Sequence, residues 1–279
     1  MRKSVVLRSS LGLLLWAVAS ACFAAPDTFA SAVLGDNPIA YWRFGEAPGA
    51  STAVDSAVGH DGTYSTTGII LGTPGIGGGD TGALFDGVSG RVTVPNDPAL
   101  GPNHISMEAL VRWDGPNTLQ QRILEKSFFE GGQQASYNLS ILNDGKVQVE
   151  VRSGGLATSH TTTQALAAGQ EAYLVGTFNG TSVSIYLDGA LVHSGAAAAG
   201  DLQDGLNALG IGNQSERDRP FLGLIDEVAL YDYALSAGDI GLHYTALTIP
   251  EPATYGLLLA GLGLLGFAAR RQSGRTGNA

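Results

Sequence analysis

Cysteine is almost absent: Cys22 is the only one in 279 residues. It falls in the N-terminal leader, so a chain cut after Ala24 would hold none. A disulfide framework is therefore excluded. A domain crossing an oxidising compartment must then be held by its core, or by a metal. Basic residues are scarce too, with 15 Lys and Arg against 25 Asp and Glu. Arg2, Lys3, Arg8, Arg270, Arg271 and Arg275 lie in the two terminal segments, where Glu251 is the one acid. The body keeps nine bases and twenty-four acids, a net charge of about −15. A nucleic-acid partner is not expected, because phosphate binding requires a basic surface. An acidic surface suits solubility and divalent cations.

The usual catalytic patterns are missing as well. Retaining glycoside hydrolysis needs two carboxyls about 5 Å apart, and on one strand residues i and i+2 share a face. No strand-like run offers such a pair. Asp226 and Glu227 are adjacent, so strict alternation points them to opposite faces. No Gly-x-Ser-x-Gly elbow occurs. His60, His104, His160, His193 and His243 are scattered, with no pair at zinc-ligand spacing. The chain is not expected to be an enzyme.

Both ends carry processing signals. Arg2, Lys3 and Arg8 precede an apolar stretch from Leu11 to Ala19, and small residues follow to Ala25. This reads as a secretory signal peptide over residues 1–24, cut after Ala24 or Ala25. Ala19-Ser20-Ala21 before Cys22 leaves a lipoprotein alternative, in which Cys22 is lipidated. At the other end Pro250-Glu251-Pro252 is followed by an apolar run from Tyr255 to Ala269 and then Arg270-Arg271. The alternative, a buried helix of the body, would need a polar face that this run lacks. The order resembles the PEP-CTERM sorting signal of Gram-negative bacteria. By that resemblance residues 249–279 form the signal, with a transmembrane helix at about 254–269 and a basic tail. The resemblance implies a membrane exosortase as partner, cleavage near Pro-Glu-Pro, membrane anchoring in transit, and delivery to the cell surface or exopolysaccharide matrix. The two prolines hold that segment extended, as a protease cleft requires.

Between the signals, residues 25–248 read as one all-β domain. Expected strands are Ala40–Phe44, Ala83–Phe85, Arg91–Val94, Ser106–Trp113, Arg122–Lys126, Tyr137–Leu142, Lys146–Arg152, Ala157–Thr163, Ala172–Phe178, Ser182–Leu187, Leu191–Ser194 and Gly223–Tyr231. Asn143-Asp144-Gly145, Asn179-Gly180 and Asp188-Gly189 read as hairpin turns. One short helix is expected from Asp27 or Thr28 to about Leu34. Another runs from a Ser236 N-cap to about Ala246. Gly72 to Gly82 reads as a loop. Val147, Val149 and Val151 alternate with Gln148, Glu150 and Arg152, and Val183, Ile185 and Leu187 with Ser182, Ser184 and Tyr186. Each pattern gives one core face and one wet face, so two sheets pack into a sandwich.

A series of short blocks carries a second resemblance. It includes Ala40-Tyr41-Trp42-Arg43-Phe44, Gly59-His60-Asp61-Gly62-Thr63-Tyr64, Ala83-Leu84-Phe85-Asp86-Gly87, Tyr186-Leu187-Asp188-Gly189, and Gly223 to Tyr231 running into Leu235-Ser236. In order and spacing these resemble the LamG-like jelly rolls of the concanavalin A-like lectin/glucanase superfamily, over about Ala40 to Tyr244. Leu110 and Ala172-Tyr173-Leu174 depart from its pattern. The resemblance implies an antiparallel two-sheet jelly roll with short flanking helices. It also implies calcium, with Asp55, Asp61 and Asp226 pinning the first loop to the last strand through oxygen ligands. The alternative makes Asp55 and Asp61 turn formers. Arg112, Trp113, Tyr137, Gln148 and Arg152 are the candidate ligand contacts. Glu108, Arg112, Gln148, Glu150 and Arg152 would share a concave face, and Trp113, Tyr137, Phe128 and Phe129 would offer rings for sugar stacking. The expected function is an exported, non-enzymatic module that binds a carbohydrate or exopolysaccharide. A structural or adhesive matrix protein without a small ligand is the alternative. A degenerate glucanase is a further one, for which no carboxylate pair can be named.

Overall fold

A computed structural model describes residues 28–77, 80–117, 119–127, 135–214, 219–248 and 261. The chain divides into two units, and all of these except residue 261 lie in the one from Asp27 to Glu251. The signal peptide expected at 1–24, the segment at 254–269, Pro250, Glu251, Pro252, Arg270 and Arg271 lie outside the described residues, as do Phe128 and Phe129. Among the described residues no helix is long and apolar enough to cross a membrane.

Helix α1 (Thr28–Gly35) leads into β1 (Ala40–Trp42), β2 (Thr52–Ala53), β3 (Gly62–Tyr64), β4 (Ile69–Pro74), β5 (Thr81–Asp86) and β6 (Val92–Val94). The long strands follow: β7 (Ile105–Trp113), β8 (Gln121–Ser127), β9 (Ala135–Ile141), β10 (Lys146–Ser153), β11 (Leu156–Ala165), β12 (Gln170–Phe178), β13 (Ser182–Leu187) and β14 (Ala190–Ala196). β15 (Leu209–Ile211), β16 (Leu222–Tyr231) and α2 (Ala237–Thr248) complete the fold. The first sheet runs β14-β13-β12-β7-β16-β5-β4, with β1 also paired to β16. The second runs β11-β10-β9-β8-β15-β6-β3-β2. All pairings are antiparallel.

Local chemistry accounts for the joints. At the β13–β14 turn Asp188 (φ 51°) and Gly189 (φ 78°) are both left-handed, as a two-residue hairpin turn of the primed type requires. Ser236 caps α2: its Oγ accepts from Asp239 N at 3.2 Å, while Asp239 Oδ2 accepts from Ser236 N at 3.2 Å. That reciprocal pair satisfies orphan helix donors.

Trp42, Phe85, Trp113, Tyr137, Phe178 and Phe221 fill the space between the sheets, with valines and leucines from both. A second apolar cluster lies on the outer face of the first sheet. There α1 and α2 cover Tyr41, Leu110, Tyr173, Tyr186, Leu224 and Tyr231 with Phe29, Val33 and Ile240. The strands β7, β12 and β16 are consequently buried on both faces. The wet face expected for Ser182–Leu187 is thus partly closed at Tyr186, which is 8% exposed. On β10 the alternation of buried valines with half-buried Gln148, Glu150 and Arg152 is as the sequence implies. The Gly72–Gly82 loop is shorter than expected, because β4 extends to Pro74 and β5 begins at Thr81.

Candidate functional site

The feature that organises the site is a break in β16. Ile225 and Val228 both face the inter-sheet core. They are three residues apart, which strict alternation forbids. A β-bulge against β7 between Asp226 and Ala229 supplies the extra residue. At the same point the other neighbour of β16 changes from β5, paired up to Ile225, to β1, paired from Val228. Glu227 takes a left-handed φ of 51°, rare for a residue other than glycine. The expectation that Asp226 and Glu227 oppose each other therefore fails. Both project to the helix-bearing side of the sheet, and with Asp80 they place a carboxylate oxygen each within 4.8 Å of one another.

The trio is deeply set. Asp226 and Glu227 are 0% and 3% exposed. Asp226 Oδ2 accepts from Ile76 N at 3.0 Å, while its Oδ1 is buried without a hydrogen-bond partner. A Cβ on Gly75 would lie 2.5 Å from Asp226 Oδ2, and one on Gly82 would lie 3.2 Å from its Cγ. Two glycines thus make room for the carboxylate. Arg43 bridges Asp80 at 2.7 Å and Glu227 at 3.3 Å, and the Tyr41 hydroxyl donates to Glu227. Burial, then the charge of Asp80, pushes Asp226 up to about 8. Burial and the charge of Asp226 raise Glu227 well above its usual range, against the pull of Arg43. Three carboxyls share one guanidinium, and one buried oxygen is orphaned. That donor set fits a hard divalent ion such as calcium. Asp80, Asp226 and Glu227 would hold it, and the ion would supply positive charge joining the β4–β5 loop to β16.

The three aspartates expected to share a metal are not brought together. Asp55 Oδ1 accepts from Tyr41 N and Ala57 N, each at 2.8 Å, and Oδ2 from Val58 N, Gly59 N and His60 N. Those five N–H bonds occupy the carboxylate and, outweighing its burial, hold it below the ordinary range. Asp61 accepts from Asp55 N at 2.8 Å. In this geometry Asp55 and Asp61 shape the first loop, and Asp226 works with Asp80 and Glu227. Asp80 carried no signal of its own in the sequence; an aspartate closing a Gly-rich loop before a strand is its only trace.

The five candidate ligand contacts are dispersed. Trp113 (4% exposed) and Tyr137 (0%) lie in the inter-sheet core, and the Tyr137 hydroxyl donates to Leu100 O at 2.7 Å. Neither presents a ring face to solvent, which corrects the stacking role expected of them. Arg112 stands on the outer side of the first sheet, opposite in phase to Trp113, and pairs with Asp114 at 2.8 Å. Gln148 and Arg152 stand on the outer side of the second sheet. There Gln148 binds Gln120 at 2.5 Å and Thr161 at 3.2 Å, and Arg152 donates to Gly155 O at 3.3 Å. Glu108 and Arg112 are separated from Gln148, Glu150 and Arg152 by the thickness of the sandwich, so no shared face exists.

A cavity of about 450 Å³ opens at the edge where β4 of one sheet approaches β2 and β3 of the other. Pro48, Tyr64 and Ile70 give it apolar walls, and Ser51, Ser65 and Thr66 line it with small polar groups. The Tyr64 hydroxyl donates to Glu46 at 2.7 Å, which fixes the ring. Sequence reading passed over this site because β2 and β3 span two and three residues.

Residues 86–241 match the family described as the concanavalin A-like lectin/glucanases superfamily, and residues 248–272 match the PEP-CTERM protein-sorting motif. No curated protein matches the sequence. Among solved structures, domain 4 of AbnA, a GH43 extracellular arabinanase from Geobacillus stearothermophilus solved with arabinotriose, is similar with a TM-score of 0.59 at 19% identity. That match covers 75% of this chain and 98% of the arabinanase domain. Trypanosoma rangeli sialidase gives 0.56 at 15% identity, over 75% of this chain and 33% of the enzyme. The binding domain of Paraclostridial Mosquitocidal Protein 1 gives 0.59 at 13%, over 76% and 52%. Identities this low establish the fold alone.

Proposed function

The chain belongs to the concanavalin A-like lectin/glucanases superfamily and carries a PEP-CTERM sorting motif, and from that premise we propose that it is an exported, non-enzymatic module that binds glycan. The observation that carries this reading is the cavity at the β4 edge. Its volume of about 450 Å³ falls in the range of small-ligand sites. Apolar walls from Pro48 and the exposed Ile70, beside three small hydroxyl residues, match a sugar, which offers both an apolar face and hydroxyls. An exosortase, the membrane protease that the sorting motif implies, would process the tail. The freed body would then meet polysaccharide at the cell surface. Calcium held by Asp80, Asp226 and Glu227 serves as a structural ion in this reading.

Titration of the purified chain with neutral oligosaccharides, arabinotriose among them, tests the proposal. Saturable binding that falls at least about tenfold in Ile70→Asp is the expected result. Ile70 is 63% exposed, so the change alters the cavity wall while sparing the core. Absence of binding across a broad glycan panel would favour the matrix protein without a small ligand.

A further inference from the structure

His160 and His193 are 33 residues apart in sequence and meet in the fold. His160 lies on β11, the edge strand of the second sheet, and His193 on β14, the edge strand of the first. The two edges pack together at the side of the sandwich away from the cavity edge. His160 Nδ1 stands 3.0 Å from His193 Nε2, with ring centroids 5.1 Å apart and the planes at 38°. The other nitrogen of His160, Nε2, stands 2.9 Å from Ala196 O. A carbonyl can only accept, so in the neutral ring Nε2 carries the hydrogen. The lone pair of Nδ1 then points at His193. A carbonyl on the far nitrogen is the arrangement that fixes tautomer and orientation in metal-ligating imidazoles. Gly195 lies close beneath the ring: a Cβ there would be 2.1 Å from His160 Cε1. Both histidines are half-exposed, which leaves an entry path for an ion.

We propose that His160 and His193 form a two-imidazole site for a first-row divalent ion of the zinc, nickel or copper class. Nitrogen ligands select these ions over calcium, which takes oxygen. Two nitrogens about 2.0–2.1 Å from zinc at a tetrahedral angle stand about 3.3 Å apart, close to the separation observed. Binding replaces the single N–H···N bond of the pair. His193 moves its proton from Nε2 to Nδ1, and the two facing lone pairs go to the metal. Water, or a donor from a bound partner, completes the shell. The ion would clip one sheet edge to the other in a chain that lacks disulfides.

The test is calorimetric titration of the purified chain with zinc chloride, in excess calcium so that the carboxylate trio is engaged. About one zinc per chain is expected. Affinity should fall by more than the ~10- to 100-fold that loss of an outer partner costs, both in His160→Gln and in His193→Gln. His104→Gln, at an exposed histidine outside both sites, should bind zinc as the parent does. Zinc should also raise the melting temperature of the parent and not of either histidine variant. A variant-free readout is the imidazole nitrogen resonances of His160 and His193, which should shift together on adding zinc. Unchanged resonances, zinc binding that survives both histidine changes, or binding lost in His104→Gln instead would each overturn the proposal.

Discussion

Burial and the nearby Asp80 push Asp226 up to about 8, whereas its unfolded value is near 3.8. Between those values the folded chain keeps a proton that the unfolded chain has released. Metal-free stability therefore falls as pH rises from about 4 to about 8 and levels beyond. Calcium needs the ionised form, so its stabilising effect grows over the same range. At pH 8, with calcium about 100-fold above its Kd, the melting temperature should rise by ~5–10 °C. Asp226→Asn should abolish that rise and melt higher than the metal-free parent at pH 8, because its neutral amide is not penalised by burial as a charge is. Thermal melts with calcium and with chelator, at pH 5 and pH 8, decide it; an unchanged calcium response in the variant would remove the site. Asp226 was legible in the sequence as a metal candidate because it sits in the block Gly223 to Tyr231, which carries the family resemblance. Its partners were not. Glu227 joins it only through a bulge, and a bulge leaves no mark in an otherwise continuous apolar strand. His160 and His193 were invisible as a pair for a related reason: spacing rules describe ligands on one element, and these meet across two sheet edges.

Hairpins and caps were the most readable elements, since Asn143-Asp144-Gly145, Asp188-Gly189 and Ser236 act on their immediate neighbours. Strands of two or three residues, such as Thr52–Ala53 and Leu209–Ile211, are too short to show a period. The covering of the first sheet by α1 and α2 was also hidden, because it depends on where the two helices dock. One docking contact is polar. His243 of α2 places Nδ1 2.9 Å from Glu108 Oε2 and Nε2 3.1 Å from Asp36 Oδ2. The Tyr173 hydroxyl donates to the same Glu108 oxygen at 2.8 Å. Burial alone would lower the imidazole, but Glu108, then Asp36, outweighs it and raises His243 above its usual value. A raised histidine contributes stability below its unfolded value and loses it as pH climbs through the folded one. His243→Ala strands Glu108 in the core, and breaking a buried pair costs about 3–5 kcal/mol. Denaturant melts should show that loss at pH 6 and a smaller one at pH 9. An equal loss at both pH values would mean that packing against Phe29 and Tyr231, not charge, holds the helix.

For the whole chain the decisive boundary lies just after Thr248, where α2 ends and the sorting motif, matched over residues 248–272, begins. The folded body and the sorting motif thus adjoin in sequence. Glu251→Ala should leave the melting curve of the body unchanged while the chain accumulates uncut in the membrane fraction of cells that make an exosortase. Normal release of the variant to the surface would show that the motif is not what directs it. The two ends of the body also meet: Thr28 at the start of α1 donates its hydroxyl to Ala246 O of α2 at 2.8 Å. Entry and exit of the chain therefore share one corner. A bridge of a few residues there could close the body into a ring, new ends could be opened in an exposed turn such as that at Asn143-Asp144, and the same body could be spliced as a pendant into a loop of another protein without disturbing its core.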